Sequence, residues 1–376
     1  MKWWLPLLCV CTAFGQTKKI KPPPANLAHK GGPEIDARRE AGVTPHDVLT
    51  GMFAAMEQHW FGAAYARARF LEYRVAMDAD LPAEALKVRG KQPDTDGGSV
   101  DFDTRLEGVA APNGHYRAKL EGGLGEVEIT SDARRTVVAS ADFKSFSDTP
   151  HRSRDANANL DNWRSYFLKN LSAMKSQVLD SGAYRTVYKG SGTYDGMPVD
   201  IVTVYKPKGK LVAGAKAGKQ PINMRKIWTF WQDGAYEIWV HKVSRLPAVI
   251  FYTNVDDNIF SNMRFSYDNN LRPTRITYNN NAPDQEGDGD VIFTFDRDGM
   301  LSGLSLKFDG KRGISLRLDA TLAFGVDAPA DAFRAIPPFG YRKINRDHLK
   351  LMVLTQISGG LLKLKKHGVN LRNFKF

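Results

Sequence analysis

Four acidic residues alternate in one short polar stretch, NNNAPDQEGDGD, and could bind calcium. They are Asp284, Glu286, Asp288 and Asp290. A calcium-binding loop of this kind also needs a glutamate at its twelfth position and a helix on each side. The twelfth position here is Phe295, and no helical pattern flanks the stretch. The spacing therefore favours a solvated hairpin turn.

The other reactive side chains do not form a catalytic motif. The eight histidines lack the His-Glu-x-x-His spacing of zinc proteases, and His115 and His241 fall on predicted strands. The glycine-rich run GGLGEVEI at 122–129 precedes no predicted helix, so it favours a hairpin turn over a phosphate-binding loop. There is no G-x-S-x-G or Walker motif, and the set of Ser-x-x-Lys with its Ser-Asp-Asn and Lys-Thr-Gly partners is not complete. The sequence predicts a protein that is not an enzyme and uses no metal or cofactor.

The first fifteen residues, MKWWLPLLCVCTAFG, have the pattern of a secretory signal peptide. Lys2 precedes an apolar run, and Ala13 and Gly15 supply small residues before the expected cleavage site. A buried N-terminal strand and a lipid-attached cysteine are the alternatives. Cleavage after Gly15 would remove both cysteines, Cys9 and Cys11, which excludes a thiolate nucleophile or metal site. The pattern predicts a periplasmic, exported protein.

Positive charge is concentrated in two segments of this chain, whose net charge is +12. Residues 206–226 carry seven Lys or Arg and no acid, and residues 341–376 carry nine against Asp347 alone. Such segments favour anionic surfaces. Export and the lack of a nucleic-acid-binding motif argue against nucleic acid. The remaining alternatives are an anionic membrane surface and a solvated face that aids solubility.

Hydrophobic spacing predicts two helices and a β-rich remainder. Apolar residues recur at i+3 and i+4 in 46–60, with Thr44 or Asp47 as the cap, and again in 160–180. Alternating segments with turns at about ten-residue spacing predict strands from 65 to 148 and from 183 to 320. Long stretches of strands with few helices between them are typical of an antiparallel sheet or open barrel.

Three segments carry a family resemblance. They are NGHYRAKLEGG…GEVEITSDARRTVVASADFKSFSDTP (113–150), KIWTFWQDGAYEIWVHKVSRLPAVIFYTN (226–254) and DAFRAIPPFGYRKI (331–344). With the amphipathic helix before the first strand, they resemble the LolA-like periplasmic lipoprotein-carrier superfamily, which includes outer-membrane lipoprotein-sorting relatives. The basic insertion near 206–226 and the basic tail depart from the small carriers.

The resemblance implies an α+β fold: a curved, half-open antiparallel β-barrel covered by helices. It implies a periplasmic carrier that holds acyl chains of a lipid or lipoprotein in an apolar concave cavity without chemistry. The alternative is an envelope sensor or scaffold that binds another protein. The predicted domains are a signal peptide (1–15), a flexible leader (16–43), a LolA-like domain (44–345) and a basic C-terminal extension (346–376).

Apolar and aromatic residues on the first helix and the predicted strands are the candidate ligand-binding set. Plain sheet core is the alternative role for the aromatic strand residues. The candidates are Phe53, Met56, Tyr116, Leu120, Trp228, Phe230, Ile238, Val240, Phe251 and Phe265.

Overall fold

A computed structural model gives the architecture of most of the chain. It describes residues 40–81, 100–122, 125–132, 134–150, 159–205, 235–254, 259–280, 287–310, 315–328, 331–349 and 352. The basic insertion and most of the basic tail, whose roles the sequence analysis left open, lie outside these residues.

The described part of the chain contains two long α-helices, sixteen strands and a short helical stretch at 346–349. The long helices are α1 (Pro45–Trp60) and α2 (Trp163–Leu179), and a short 3₁₀ turn spans Ala63–Ala66. The strands are β1 (Phe70–Leu81), β2 (Val100–Ala110), β3 (Tyr116–Gly122), β4 (Val127–Ser131), β5 (Arg135–Ser140), β6 (Ser145–Pro150), β7 (Arg185–Tyr194), β8 (Met197–Tyr205), β9 (Ala235–His241), β10 (Pro247–Asn254), β11 (Ile259–Tyr267), β12 (Pro273–Asn280), β13 (Gly287–Phe295), β14 (Leu301–Gly310), β15 (Ser315–Gly325) and β16 (Arg342–Lys343).

The chain divides into two compact units. The first contains Phe61–Leu168 and the part from Asp290 onward, and the second contains the part up to Trp60 and Lys169–Gly289. Strand β13 runs through the boundary. Strands of the first unit follow the order β16-β6-β5-β4-β3-β2-β1-β15-β14, and those of the second the order β12-β11-β10-β9-β8-β7.

Within these two runs, neighbouring strands are antiparallel apart from the pair β16 and β6, which is parallel. Neither run of strands closes on itself among the described residues. The mostly antiparallel, unclosed sheet that the sequence predicts is therefore confirmed. The curvature and the helix cover in that prediction remain predictions.

Local side-chain bonds explain where the helices begin and end. The Thr44 hydroxyl accepts a hydrogen bond from the Asp47 backbone N–H at 3.1 Å and donates one to the Asp47 carboxylate. This reciprocal cap satisfies a free N–H group of the first turn. Asn162 accepts from the Ser165 N–H at the start of α2, and Gly182, with φ of 67°, follows its end. The predicted helices are confirmed within a few residues.

A glycine on β2 gives a sharp test of sheet packing. Tyr73 on β1 pairs with Gly108, and its hydroxyl donates to the Arg117 carbonyl on β3. A Cβ at Gly108 would overlap that carbonyl oxygen and lie 2.7 Å from the Tyr73 hydroxyl. We expect Gly108→Ala to lower the free energy of unfolding by about 1–3 kcal/mol, because the strands must separate.

The matched control is the same substitution on α1. A Cβ at Gly51 would lie 3.6 Å from Arg245, an ordinary contact. Gly51→Ala should raise stability by up to about 1 kcal/mol through helix propensity. Urea denaturation of the two variants measures both changes, and equal effects of the two substitutions would contradict the packing described for Gly108.

Candidate functional site

The two sides of strand β1 differ in character, since one is apolar and the other is charged. Side chains of a strand point alternately to opposite sides of the sheet, and burial along β1 alternates accordingly. The buried or half-buried side chains are Leu71, Tyr73, Val75 and Met77, and the exposed ones are Glu72, Arg74, Ala76 and Asp78. The apolar side of the first unit is called here the first apolar face.

Backbone register arranges this face in four cross-strand rows over β3, β2, β1 and β15. Residues directly opposite one another in such rows are in side-chain contact range. Beginning with the row of Phe324, they are Tyr116, Ala110, Leu71 and Phe324; Ala118, Gly108, Tyr73 and Leu322; Leu120, Leu106, Val75 and Ala320; and Gly122, Thr104, Met77 and Leu318.

An aromatic cluster covers the first of these rows. The ring centroid of Phe324 lies 5.1 Å from that of Tyr65 and 5.9 Å from that of Trp163 on α2. Phe167 lies at the centre of the cluster, 4.9 Å from Phe61 and 5.2 Å from Tyr65. The N-terminal half of α2 is thereby fixed at one end of the first apolar face.

The second row is buried at Ala118, Tyr73 and Leu322, but the apolar side chains of the third and fourth rows are only half-buried. Val75, Met77, Leu106, Leu120 and Leu318 are all of intermediate exposure. A face that keeps apolar side chains partly in water can gain free energy by covering them, at about 25 cal/mol per Å². These rows are the principal candidate site of the first unit.

The same rows continue onto β4, β5 and β6, where hydroxyl groups replace apolar side chains. Ser140 pairs with Val127 and Ser145, and Ser147 pairs with Val138. The Ser140 and Ser147 hydroxyls are buried and have no hydrogen-bond partner within the described part of the chain. A buried hydroxyl without a partner costs free energy, so this side of the face favours a polar acceptor.

The second unit has its own apolar face, the second apolar face, on the side where α1 packs. Helix α1 contacts β7 and β8, and Trp60 at its end stacks on Phe265 with centroids 6.2 Å apart. Buried residues of α1 include Val48, Leu49, Met52, Phe53 and Met56. Register places these strand residues on the second apolar face: Val202, Val204, Tyr236, Ile238, Val240, Ile250, Tyr252, Met263, Phe265, Ile276 and Tyr278.

A buried carboxylate lies beside the apolar residues of β8. Asp200, whose side chain is 4% exposed, lies 3.3 Å from the Arg245 guanidinium and 3.7 Å from the Lys242 ammonium. It accepts a hydrogen bond from the Tyr188 hydroxyl at 3.0 Å. Burial, followed by the bond to Asp200, raises the pKa of Tyr188 to about 12, so the hydroxyl remains a donor at neutral pH. This network fixes the β9–β10 turn to β8.

The opposite face of the same strands carries a separate cluster. Trp239 packs against Phe251 and Tyr194, with centroids 5.0 and 5.5 Å apart. The Trp239 indole donates to Glu237, which also binds Lys189. Burial lowers the pKa of His241. Within the described ranges, no group of three or more His, Cys, Asp or Glu could hold a metal ion.

The structure divides the predicted site residues among three places. Tyr116 and Leu120 lie on the first apolar face. Phe251 lies on the side of the second unit's strands opposite the second apolar face, because register pairs it with Glu237 rather than with Ile238. Trp228 and Phe230 lie outside the described residues. The remaining five belong to α1 or the second apolar face: Phe53, Met56, Ile238, Val240 and Phe265.

Sequence reasoning missed two features of these faces. The half-buried Val75, Met77 and Leu318 could have been found from the alternation in FLEYRVAMDADL and ISLRLDATLAF. Asp200 stands out as a single acid within the apolar run MPVDIVTVY, a pattern that signals a buried, paired carboxylate.

Comparison with known proteins gives structural relatives only. No protein-family model matches the chain, and no curated protein matches it. Solved structures do match. This chain is similar to LolA superfamily proteins.

Three of the matching structures show how limited the similarity is. A LolA superfamily protein of Nitrosomonas europaea is 13% identical, with a TM-score of 0.30 over 78% of this chain and 98% of its own. An outer membrane lipoprotein-sorting protein domain of Vibrio parahaemolyticus is 10% identical, with a TM-score of 0.27 over 77% and 95%. The MucA/MucB complex of Pseudomonas aeruginosa gives 11% identity and a TM-score of 0.18 over 75% and 95%.

No helix in the described part of the chain is long and apolar enough to cross a membrane.

Proposed function

We propose that this protein is a non-enzymatic periplasmic carrier that binds acyl chains of a lipid or lipoprotein on the first apolar face. The observation that carries the proposal is the half-buried state of the apolar side chains in the third and fourth rows, those of Val75 and Met77. The other side of the same strands is exposed and charged, with ion pairs such as that between Arg117 and Glu128 at 2.7 Å. Of the two sides of these described strands, the apolar one therefore offers the better surface for an apolar ligand.

The dimensions of the rows suit an acyl chain. The row of Leu120, Leu106, Val75 and Ala320 extends to Leu304 on β14, and thus crosses five strands. At about 4.8 Å per strand spacing, it measures about 19 Å. Each methylene buried there contributes about 0.8 kcal/mol, so a long chain binds without polar contacts.

The hydroxyl side of the face suits the polar end of such a ligand. Ser140 and Ser147 carry hydroxyls that can donate to an ester carbonyl or a headgroup oxygen. This arrangement supports an acylated molecule with a polar end over a plain hydrocarbon. The periplasmic location is part of the proposal and rests on the signal-like segment at 1–15.

A charge placed on the apolar rows should remove binding. We expect Met77→Glu to weaken binding of the fluorescent fatty acid cis-parinaric acid at least tenfold, because a carboxylate in an apolar contact is strongly unfavourable. Ala76→Glu is the matched control, since Ala76 is the next residue on β1 and is exposed on the charged face. Fluorescence titration measures both affinities, and thermal denaturation verifies that both variants fold.

Native mass spectrometry of protein purified from the periplasm without detergent tests the proposal independently. A stoichiometric lipid or acylated peptide in the wild-type protein would support the carrier function and identify the ligand. A clean apo mass with no uptake of cis-parinaric acid would contradict it and favour the alternative, a sensor or scaffold that binds another protein. Equal affinities of the Met77→Glu and Ala76→Glu variants would show that ligand binds elsewhere.

A further inference from the structure

The segment before β16 exposes two large apolar side chains. Ile336 is 60% exposed and Phe339 is fully exposed, at 104%. They flank the Pro337-Pro338 pair. We call residues 336–340 the closing tip. Single exposed apolar residues are ordinary on protein surfaces, but a fully exposed phenylalanine beside an exposed isoleucine on one short loop is a candidate interaction site.

The base of the closing tip is held firmly. Ala335 is 1% exposed and packs with Val137, Ala139 and Phe146 on β5 and β6, and Tyr341 packs against the same cluster. The Arg135 guanidinium donates to the Ala335 carbonyl. On the other side of the tip, the N–H groups of Arg342 and Ile344 donate to the Lys144 and Phe146 carbonyls, each at 2.9 Å.

The residues within the tip are also conformationally restricted. The two prolines fix their own φ angles, and Gly340 adopts a φ of 79°, which a side chain would disfavour. The tip therefore presents Phe339 in a preformed position. Little conformational entropy is lost when such a loop binds, because its ordering cost is already met by folding.

Cations flank the closing tip. Lys144 and Arg342 are joined by the backbone hydrogen bond at its base, and both are exposed. Lys343 follows and is 64% exposed, and it lies 3.8 Å from Asp148, which also faces Arg135 at 3.5 Å. The tip is therefore apolar at its end and positively charged where it joins the sheet. An anionic bilayer surface attracts this arrangement.

We propose that the closing tip docks the protein on an anionic membrane, with Phe339 and Ile336 entering the interface and Lys144, Arg342 and Lys343 facing lipid headgroups. The charge of the adjoining segment favours a membrane over a protein pocket. Residues 341–376 carry nine cations against one acid, and such excess charge suits an extended anionic surface. This inference stands independently of ligand binding on the first apolar face.

Vesicle binding of the full chain tests this docking site. Vesicles of phosphatidylcholine with 30% phosphatidylglycerol should bind the wild-type protein, and neutral phosphatidylcholine vesicles should bind it weakly. Phe339→Ala should weaken binding to the anionic vesicles about tenfold or more, because most of a phenylalanine side chain leaves the interface. Val243→Ala is the matched control, since Val243 is 79% exposed on the turn after β9.

A tryptophan reporter separates docking of the tip from attraction of the basic tail. Fluorescence of the Phe339→Trp variant, compared with that of the wild type, should shift to shorter wavelength on anionic vesicles, as an indole does when it enters the interface. Equal vesicle affinities of the wild-type and Phe339→Ala proteins, or an unshifted reporter in a vesicle-bound variant, would overturn the proposal. No vesicle binding by the wild-type protein would also overturn it.

Discussion

Phe167→Ala should lower the free energy of unfolding of the first unit by about 3–5 kcal/mol, the usual cost of removing a phenylalanine ring from a packed core. Phe167 is 9% exposed. Its ring lies within 6.4 Å, between centroids, of five other aromatic rings, including that of Phe324. Because this contact joins α2 to β15, a cavity at Phe167 would weaken the packing of both elements.

Urea denaturation followed by tryptophan fluorescence measures this loss, because Trp163 lies in the same cluster. Phe339→Ala removes the same side chain from a fully exposed position and serves as the control. Its stability should stay within about 0.5 kcal/mol of wild type. If Phe167→Ala were equally mild, α2 would not be fixed to the first apolar face by this cluster.

Asp200→Ala should cost the second unit about 1–3 kcal/mol, because Tyr188 loses the acceptor of a buried hydrogen bond, whereas Arg245 and Lys242 remain partly exposed to water. The change removes the carboxylate that Arg245 and Lys242 share and leaves the Tyr188 hydroxyl without its acceptor. Asp200→Asn should cost less, because an amide oxygen still accepts the tyrosine hydrogen bond.

Thermal and urea denaturation of the three proteins would establish this order of stability. Asp103→Ala on β2 is the matched control, since its side chain is 72% exposed and its ion pair with Arg105 spans 3.8 Å. An exposed pair of this kind contributes at most about 1 kcal/mol. A small, equal loss for Asp200→Ala and Asp103→Ala would mean that the buried network does not stabilise the β9–β10 turn.

Local patterns in the sequence were sufficient to predict the two long helices and most of the strands. Helical spacing predicted α1 and α2, since the stripe from Val48 to Met56 and the cap at Thr44 depend only on neighbours in sequence. Turn residues and alternation located most strands for the same reason. The start of β1 was predicted at residue 65, but Ala63–Ala66 forms a 3₁₀ turn there and the strand begins at Phe70.

Such local patterns could not predict which distant strands pair with each other. The partners of β1 are β2 and β15, and nothing in the spacing of Val75 and Met77 reveals that Ala320 and Leu318 lie opposite them. The predicted site therefore combined residues from both units. Phe251 and Ile238 lie on opposite sides of the sheet because of the bulge between Pro247 and Val249, which shifts the register by one residue.

The pairing of β1 with β15 also has a consequence for the order in which the chain can fold. Phe70 pairs with Gly325, and Arg135 bonds to a carbonyl 200 residues away. By contrast, β7 to β12 form a meander in which each strand pairs with the next. Contacts that close long loops form slowly, because the entropy of closure must be lost before they stabilise anything. The meander can therefore fold as soon as it is synthesised, whereas β1 must wait, with one edge unpaired and open to aggregation, until nearly the whole chain is available.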